Sequence, residues 1–208
     1  MWEIFIGSVI LGVIHPLFPN HWIPIIAIAK TEKWTNRETV MATLTTGFSH
    51  TLSTILIGIL VGFVGIKLSE NYSYITSIAA PVILVFIGII YLFLDFKSHQ
   101  HNHFEIKNLK KNSRSKVAII TTLCIGMFLS PCIEIEAYYF QAATKGWLAI
   151  LIVSGVYLTL TLSIMTTLVY YGLKGVNKFN TTYLERHEKR ITGIVLILLG
   201  FFAYFVEL

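Results

Sequence analysis

Residues 2–29 read WEIFIGSVILGVIHPLFPNHWIPIIAIA, and this stretch decides the fold class. It is apolar and long enough to cross a hydrocarbon core of about 30 Å, which takes about 20 residues as a helix. Its centre contains Pro16 and Pro19 between His15 and His21. Proline removes a backbone hydrogen bond, and within lipid the freed carbonyl group must be satisfied by protein or by cavity water. The stretch therefore predicts a membrane helix that is interrupted near its centre beside a cavity.

Apolar stretches of this kind recur along the whole chain. Of its 208 residues, 55% are hydrophobic and 13% are charged, and the mean hydropathy is +0.70, which excludes the soluble globular classes. We predict an all-α integral membrane protein with six transmembrane helices. The predicted spans are residues 2–29, 40–66, 75–94, 117–144, 147–173 and 191–208.

The basic residues are concentrated in alternate loops. Fourteen of the 16 Lys and Arg residues lie in the segments 30–39, 95–116 and 174–190, and the other two are Lys67 and Lys145. Cytoplasmic loops of membrane proteins carry such an excess of positive charge, so both termini are predicted to be extracytoplasmic. The pattern explains the net charge of +5 without nucleic acid as a partner.

The chain divides into two similar halves. Residues 1–95 form a predicted first three-helix repeat, 96–116 a basic, histidine-containing cytoplasmic loop, and 117–208 a second repeat. Pro131 interrupts the fourth span as Pro16 and Pro19 interrupt the first. Because three spans separate equivalent points, the halves would enter the membrane in opposite orientations, as a 3+3 inverted repeat. Interrupted helices at equivalent places indicate the binding site of a transporter.

Polar residues within the spans define a candidate site. Ionisable groups cost roughly 2.5 to 3.5 kcal/mol at the centre of a bilayer, so a cluster of them indicates function. Imidazole, carboxylate and thiolate groups are ligands of divalent transition metals. The predicted metal ligands are His15, His21, His50 and Glu134, with Asn20, Cys132 and Glu136 as possible additions.

Hydroxyl groups form stripes with helical spacing on spans two and five. We predict that these stripes line a pore, although such residues also serve helix packing alone. The run His99, His101 and His103 in the central loop could bind metal or be a solvated linker. The predicted pore-lining residues are Thr46, Ser53, Thr159 and Ser163.

The segment from His15 to His21 resembles the first-span signature of the NicO-type nickel and cobalt transporters and their urease-accessory and efflux-permease relatives. That signature is a histidine, four residues, an aspartate and a histidine, and this chain has Asn20 at the aspartate position. The likeness extends to residues 47–51 (GFSHT), to the proline–cysteine break in span four and to the histidine-bearing loop.

The resemblance implies the six-helix inverted repeat of the LysE-like superfamily in a bacterial inner membrane. It also implies that His15, His21 and His50 handle the metal, with Glu134 and Glu136 as sources of the negative charge that Asn20 lacks. The predicted function is a permease for a divalent transition metal such as nickel or cobalt. The metal is cargo, no prosthetic group or enzymatic activity is expected, and an oligomer is compatible with the sequence.

Two alternatives stay open. Residues 130–132 (SPC) also resemble the span-four signature of CcdA- and DsbD-like membrane electron carriers. Their mechanism needs a cysteine in each half, whereas both cysteines of this chain, Cys124 and Cys132, lie in span four. The second alternative is a LysE-type transporter of a non-metal solute, bound by the helix N-termini at the two breaks. A membrane protease is less favoured because the chain has no His-Glu-x-x-His segment.

Overall fold

The computed structural model describes residues 1–97, 115–174 and 181–207, and the regular elements within these ranges are all α-helices. The predicted loop 96–116, including His99, His101 and His103, lies almost entirely outside the described residues. The helices are α1 (Trp2–Leu17), α2 (Pro19–Thr31), α3 (Asn36–Asn71), α4 (Ser73–Lys97), α5 (Lys116–Phe128), α6 (Ile133–Ala143), α7 (Trp147–Leu173) and α8 (Thr181–Glu207).

The first apolar stretch is interrupted where the prolines predict. Phe18 separates α1 from α2 and has extended backbone angles, φ −68° and ψ 133°. The residue before a proline is restricted to this region, and Pro19 then starts α2 at a position where its missing N–H costs nothing. His15 therefore lies in the last turn of α1, directly before the interruption.

A second interruption separates α5 from α6. The two helices are inclined by 50° across residues 129–132, which contain Pro131. Cys132 is the N-cap residue of α6, so its side chain leaves the backbone at the point where the helix restarts. Both interruptions thus place a residue of the candidate metal site at a helix end.

The helices are compatible with an integral membrane protein. Within the described residues, four stretches are long and apolar enough to cross a membrane: 2–31, α3, the 73–95 part of α4, and α7. The bent pair of α5 and α6 makes a fifth if it is one span. The sixth span, within α8, and the inverted repeat remain predictions.

Small residues set the distances between the helices. A Cβ atom on Gly58 of α3 would overlap the ring of Tyr139, and one on Gly62 would meet Ile150 of α7 at 2.6 Å. Gly88 of α4 and Gly193 of α8 pack backbone to backbone, because a Cβ on either would lie 2.7 Å from the carbonyl oxygen of the other. Close approach at small residues is how membrane helices associate without a hydrophobic driving force. Gly58 and Gly62 allow α3 to pack closely against α6 and α7.

Ion pairs join helix ends at one side of the bundle. Lys116 at the start of α5 contacts Glu38 at the start of α3, with 2.6 Å between Nζ and Oε1. Arg190 near the start of α8 contacts Asp95 near the end of α4, with 3.2 Å between Nε and Oδ2. We call this side, where α2, α4 and α7 end and α3, α5 and α8 begin, the basic end. It is the side that the charge pattern predicts to be cytoplasmic.

Candidate metal centre

Three side chains from three helices meet at the centre of the structure. His15 comes from the end of α1, His50 from the middle of α3, and Cys132 from the start of α6. The Nε2 atoms of the two histidines are 3.3 Å apart, and the Cys132 sulfur lies 3.1 Å from the first and 3.2 Å from the second. All three side chains are buried, with 2% to 6% of their surface exposed.

This triangle has the size of one face of a metal coordination tetrahedron. With metal–nitrogen bonds of about 2.0 Å and a metal–sulfur bond of about 2.3 Å, tetrahedral ligands lie about 3.3 to 3.5 Å apart. The observed separations differ from these by a few tenths of an ångström. Three protein ligands leave a fourth position open, as in zinc sites that exchange a bound molecule.

Hydrogen bonds to the far side of each imidazole fix the direction of its lone pair. The Nδ1 atom of His15 lies 3.0 Å from Oε1 of Glu134, and Nδ1 of His50 lies 3.2 Å from the carbonyl oxygen of Met127. Oxygens of ionised carboxylates and carbonyls only accept, so each Nδ1 carries the hydrogen in this arrangement. When both imidazoles are neutral, each Nε2 atom then presents its lone pair towards the centre. Metal-binding histidines are oriented in this way.

Two tyrosines complete the surroundings of the triangle. Tyr91 of α4 donates to Oε2 of Glu134 at 3.1 Å, so both carboxylate oxygens have a partner. Tyr157 of α7 lies with its hydroxyl 3.7 Å from the Cys132 sulfur. The centre therefore draws on α1, α3, α4, α5, α6 and α7, which means that packing of most of the bundle determines its geometry.

In the structure, Glu134 does not occupy the position of a direct metal ligand. The sequence predicts it as part of the metal site, and here its oxygens bind His15 Nδ1 and Tyr91 rather than facing the Nε2 atoms and sulfur. In this arrangement Glu134 orients His15 and supplies negative charge beside the centre. Direct ligation by Glu134 remains a prediction.

The other candidates from the first interrupted segment lie at increasing distance from the triangle. The ring of His21 lies beside it in a tilted arrangement, with centroids 4.3 Å from His15 and 5.0 Å from His50. Asn20 is exposed, and its amide donates to Oε1 of Glu188 at 3.0 Å. His21 thus adjoins the centre, whereas Asn20 points towards α8.

Glu136 lies one helical turn after Cys132. Both of its carboxylate oxygens are buried, and neither has a hydrogen-bond partner among the described residues. α6 runs from Cys132 away from the basic end, so Glu136 lies further from that end than the triangle does. The structure does not bring it into the group of three.

The predicted pore-lining residues divide into two pairs. Thr46 and Ser53 are buried on α3 and donate to backbone carbonyls of Ala42 and His50, at 2.7 and 2.9 Å. Thr159 and Ser163 of α7 are exposed, on the face opposite Tyr157. Ser53 is thus next to the centre through the backbone of His50, while Thr159 and Ser163 face away from it.

Four groups at or near the centre were not predicted from the sequence. Tyr91 and Tyr157 are single aromatic residues in apolar spans, where aromatic packing is the common role, and the Met127 carbonyl is backbone. Glu188 lies in a charged segment that the sequence predicts to be a loop, and no motif includes it. The two tyrosines could have been proposed from the sequence, because a phenol hydroxyl inside a membrane needs a hydrogen-bond partner.

No protein-family model, no curated protein and no solved structure matches the chain. The chemistry of the centre itself therefore carries the functional argument.

Proposed function

We propose that the protein is a membrane permease for a divalent transition-metal cation, which the triangle of His15, His50 and Cys132 binds in transit. The observation that carries this proposal is the convergence of two imidazole nitrogens and one sulfur, three atoms of metal-ligand type, within 3.3 Å of one another. A divalent cation at the open face of the triangle would take all three atoms as ligands once the imidazoles are neutral and the thiol is deprotonated.

The ligand types favour transition metals over the hard cations. Magnesium and calcium prefer sites made of oxygen ligands, whereas imidazole and thiolate suit zinc, copper, nickel and cobalt. A Cys132 thiolate and an ionised Glu134 would together neutralise the two charges of a divalent ion. Neutralisation of this kind is what a cation needs in a low-dielectric interior. Nickel and cobalt remain the proposed cargo on the resemblance of the first span.

The position of the ligands favours transport over a fixed structural metal. His15 precedes the break between α1 and α2, and Cys132 follows the break between α5 and α6. Relative rotation of the helix segments at these breaks would change the distance between the two ligands. A site whose ligands lie on both sides of hinges can be opened to either membrane face, which alternating access requires.

The same atoms support one other class of function, an enzyme that uses the Cys132 sulfur as its nucleophile. The chain of contacts from Glu134 to His15 to the Cys132 sulfur, 3.0 and 3.1 Å, has the form of a nucleophile, a base and an orienting carboxylate. His50 favours the metal site over this enzyme, since a cysteine nucleophile needs only one imidazole and this sulfur contacts two.

The electron-carrier alternative is weaker. It needs a second cysteine beside Cys132, whereas the contacts of the Cys132 sulfur are to histidines and a tyrosine.

The proposal is tested with the purified full chain in liposomes that enclose a metal-sensitive dye. Addition of Co²⁺ outside should produce a saturable signal for the wild type. His50→Ala should abolish it, whereas Thr159→Ala on the exposed face of α7 should leave it unchanged. Equal cobalt flux in the wild type, His50→Ala and empty liposomes would refute the permease function.

A further inference from the structure

Glu188 places a carboxylate beside the metal centre at the basic end. It lies near the start of α8, where the chain has no motif, and it accepts a hydrogen bond of 3.0 Å from the Asn20 amide. Asn20 directly precedes His21, whose ring centroid lies 4.3 Å from that of His15. The two residues are 168 positions apart in the sequence, so only the fold brings them together.

Glu188 is close enough to the centre for its charge to act there. Its carboxyl group lies within electrostatic range of Glu134 and His15, and of the neighbouring Lys189. Two carboxylates within such range repel each other, and both attract a cation that lies between them. The nearby guanidinium group of Arg190 is already paired with Asp95, at 3.2 Å. A negative group at this position would attract cations from the basic end towards the triangle.

We propose that Glu188 is the first cation contact of the transport path at the basic end, with Asn20 as the residue that positions it. A cation would bind the Glu188 carboxylate, pass His21 and then reach His15, His50 and Cys132. This inference rests on the proposed function and adds a second, peripheral cation site to it. Its ligand chemistry is a hard carboxylate, in contrast to the nitrogen and sulfur ligands of the centre.

The path assigns a role to each residue of the interrupted segment. Asn20 holds the peripheral carboxylate, His21 adjoins both Asn20 and His15, and His15 belongs to the centre. Because His21 has a ring centroid within 5.0 Å of both central histidines, rotation of its side chain can bring a nitrogen close to an arriving ion.

Charge and hydrogen bonding at Glu188 can be separated by one substitution. Glu188→Gln removes the negative charge but retains an oxygen that accepts from the Asn20 amide. If the residue served only to tie α8 to α2, this variant would behave as the wild type. The matched control is Glu70→Gln, which removes an exposed carboxylate from the far end of α3, where it pairs with Lys67 at 2.8 Å.

The test measures Co²⁺ flux into liposomes and, separately, equilibrium Co²⁺ binding to the purified full chain. In Glu188→Gln we expect the KM for flux to rise about tenfold, because one attracting charge is lost, while affinity at the centre changes less than twofold. High salt should reduce the difference from the wild type. Glu70→Gln should change neither quantity.

A charge exchange supplies the second variant. Asn20→Asp combined with Glu188→Gln places the carboxylate on α2 and the amide on α8, so the KM should return towards the wild-type value. Wild-type KM in Glu188→Gln would overturn the inference and leave the metal centre intact. A tenfold rise without recovery in the exchange variant would also overturn it. Absence of Co²⁺ binding and flux in the wild type would instead refute the proposed function itself.

Discussion

Glu134→Gln tests how the carboxylate of α6 acts on the metal centre. Glu134 binds Nδ1 of His15 at 3.0 Å and the Tyr91 hydroxyl at 3.1 Å, on the side of the imidazole away from Nε2. The substitution keeps an accepting oxygen for His15 but removes the charge that makes the imidazole a stronger ligand. Loss of such a partner typically lowers metal affinity 10- to 100-fold, or by about 1.4 to 2.7 kcal/mol.

Isothermal titration of the purified protein with Co²⁺ measures this loss. Glu136→Gln is the matched control, since it removes a carboxylate two positions away that has no hydrogen-bond partner among the described residues. We expect the control to bind Co²⁺ within about threefold of the wild type. Unchanged affinity in Glu134→Gln would contradict the orienting role. Complete loss, equal to that of His15→Ala, would make Glu134 a direct ligand.

Three further predictions concern acid, topology and packing. Co²⁺ affinity should fall steadily as the pH is lowered from 8 to 5, because protonated imidazole and thiol groups do not bind metal; constant affinity would exclude His15 and Cys132 as ligands. A cysteine introduced at position 103 should resist impermeant reagents in intact cells, and efficient labelling would reverse the orientation. Gly58→Ala should lower the free energy of unfolding by about 1 to 3 kcal/mol, because its Cβ would overlap Tyr139. The control is Gly155→Ala, whose Cβ has no atom within 4 Å. Equal thermal stability of the two variants would contradict the packing.

Local rules account for the interruptions of the fold. Phe18 is extended because Pro19 follows it, and the break before α6 contains Pro131. The depth of His15 and His50 also follows from their positions within long apolar stretches. These features depend on residues close together in the chain, which is why the sequence predicts them.

The contacts between distant segments could not be predicted in the same way. Helical spacing correctly groups Thr159 with Ser163 on one face of α7, but not which face is buried, and the structure buries the face with Tyr157. The sequence likewise names Glu134 without indicating that it meets Nδ1 rather than Nε2 of His15. The pairing of Asn20 with Glu188 depends on the packing of α2 beside α8.

The central claim is that His15, His50 and Cys132 bind one metal ion together, and the absorption spectrum of the Co²⁺-loaded protein tests it most directly. A cobalt ion bound by a thiolate gives a sulfur-to-metal charge-transfer band, and a tetrahedral ion gives intense visible bands. We predict both, at one Co²⁺ per chain, with loss of the charge-transfer band in Cys132→Ser and of all bands in His50→Ala. A wild-type spectrum equal to that of Co²⁺ in buffer, at any metal concentration, would contradict the claim.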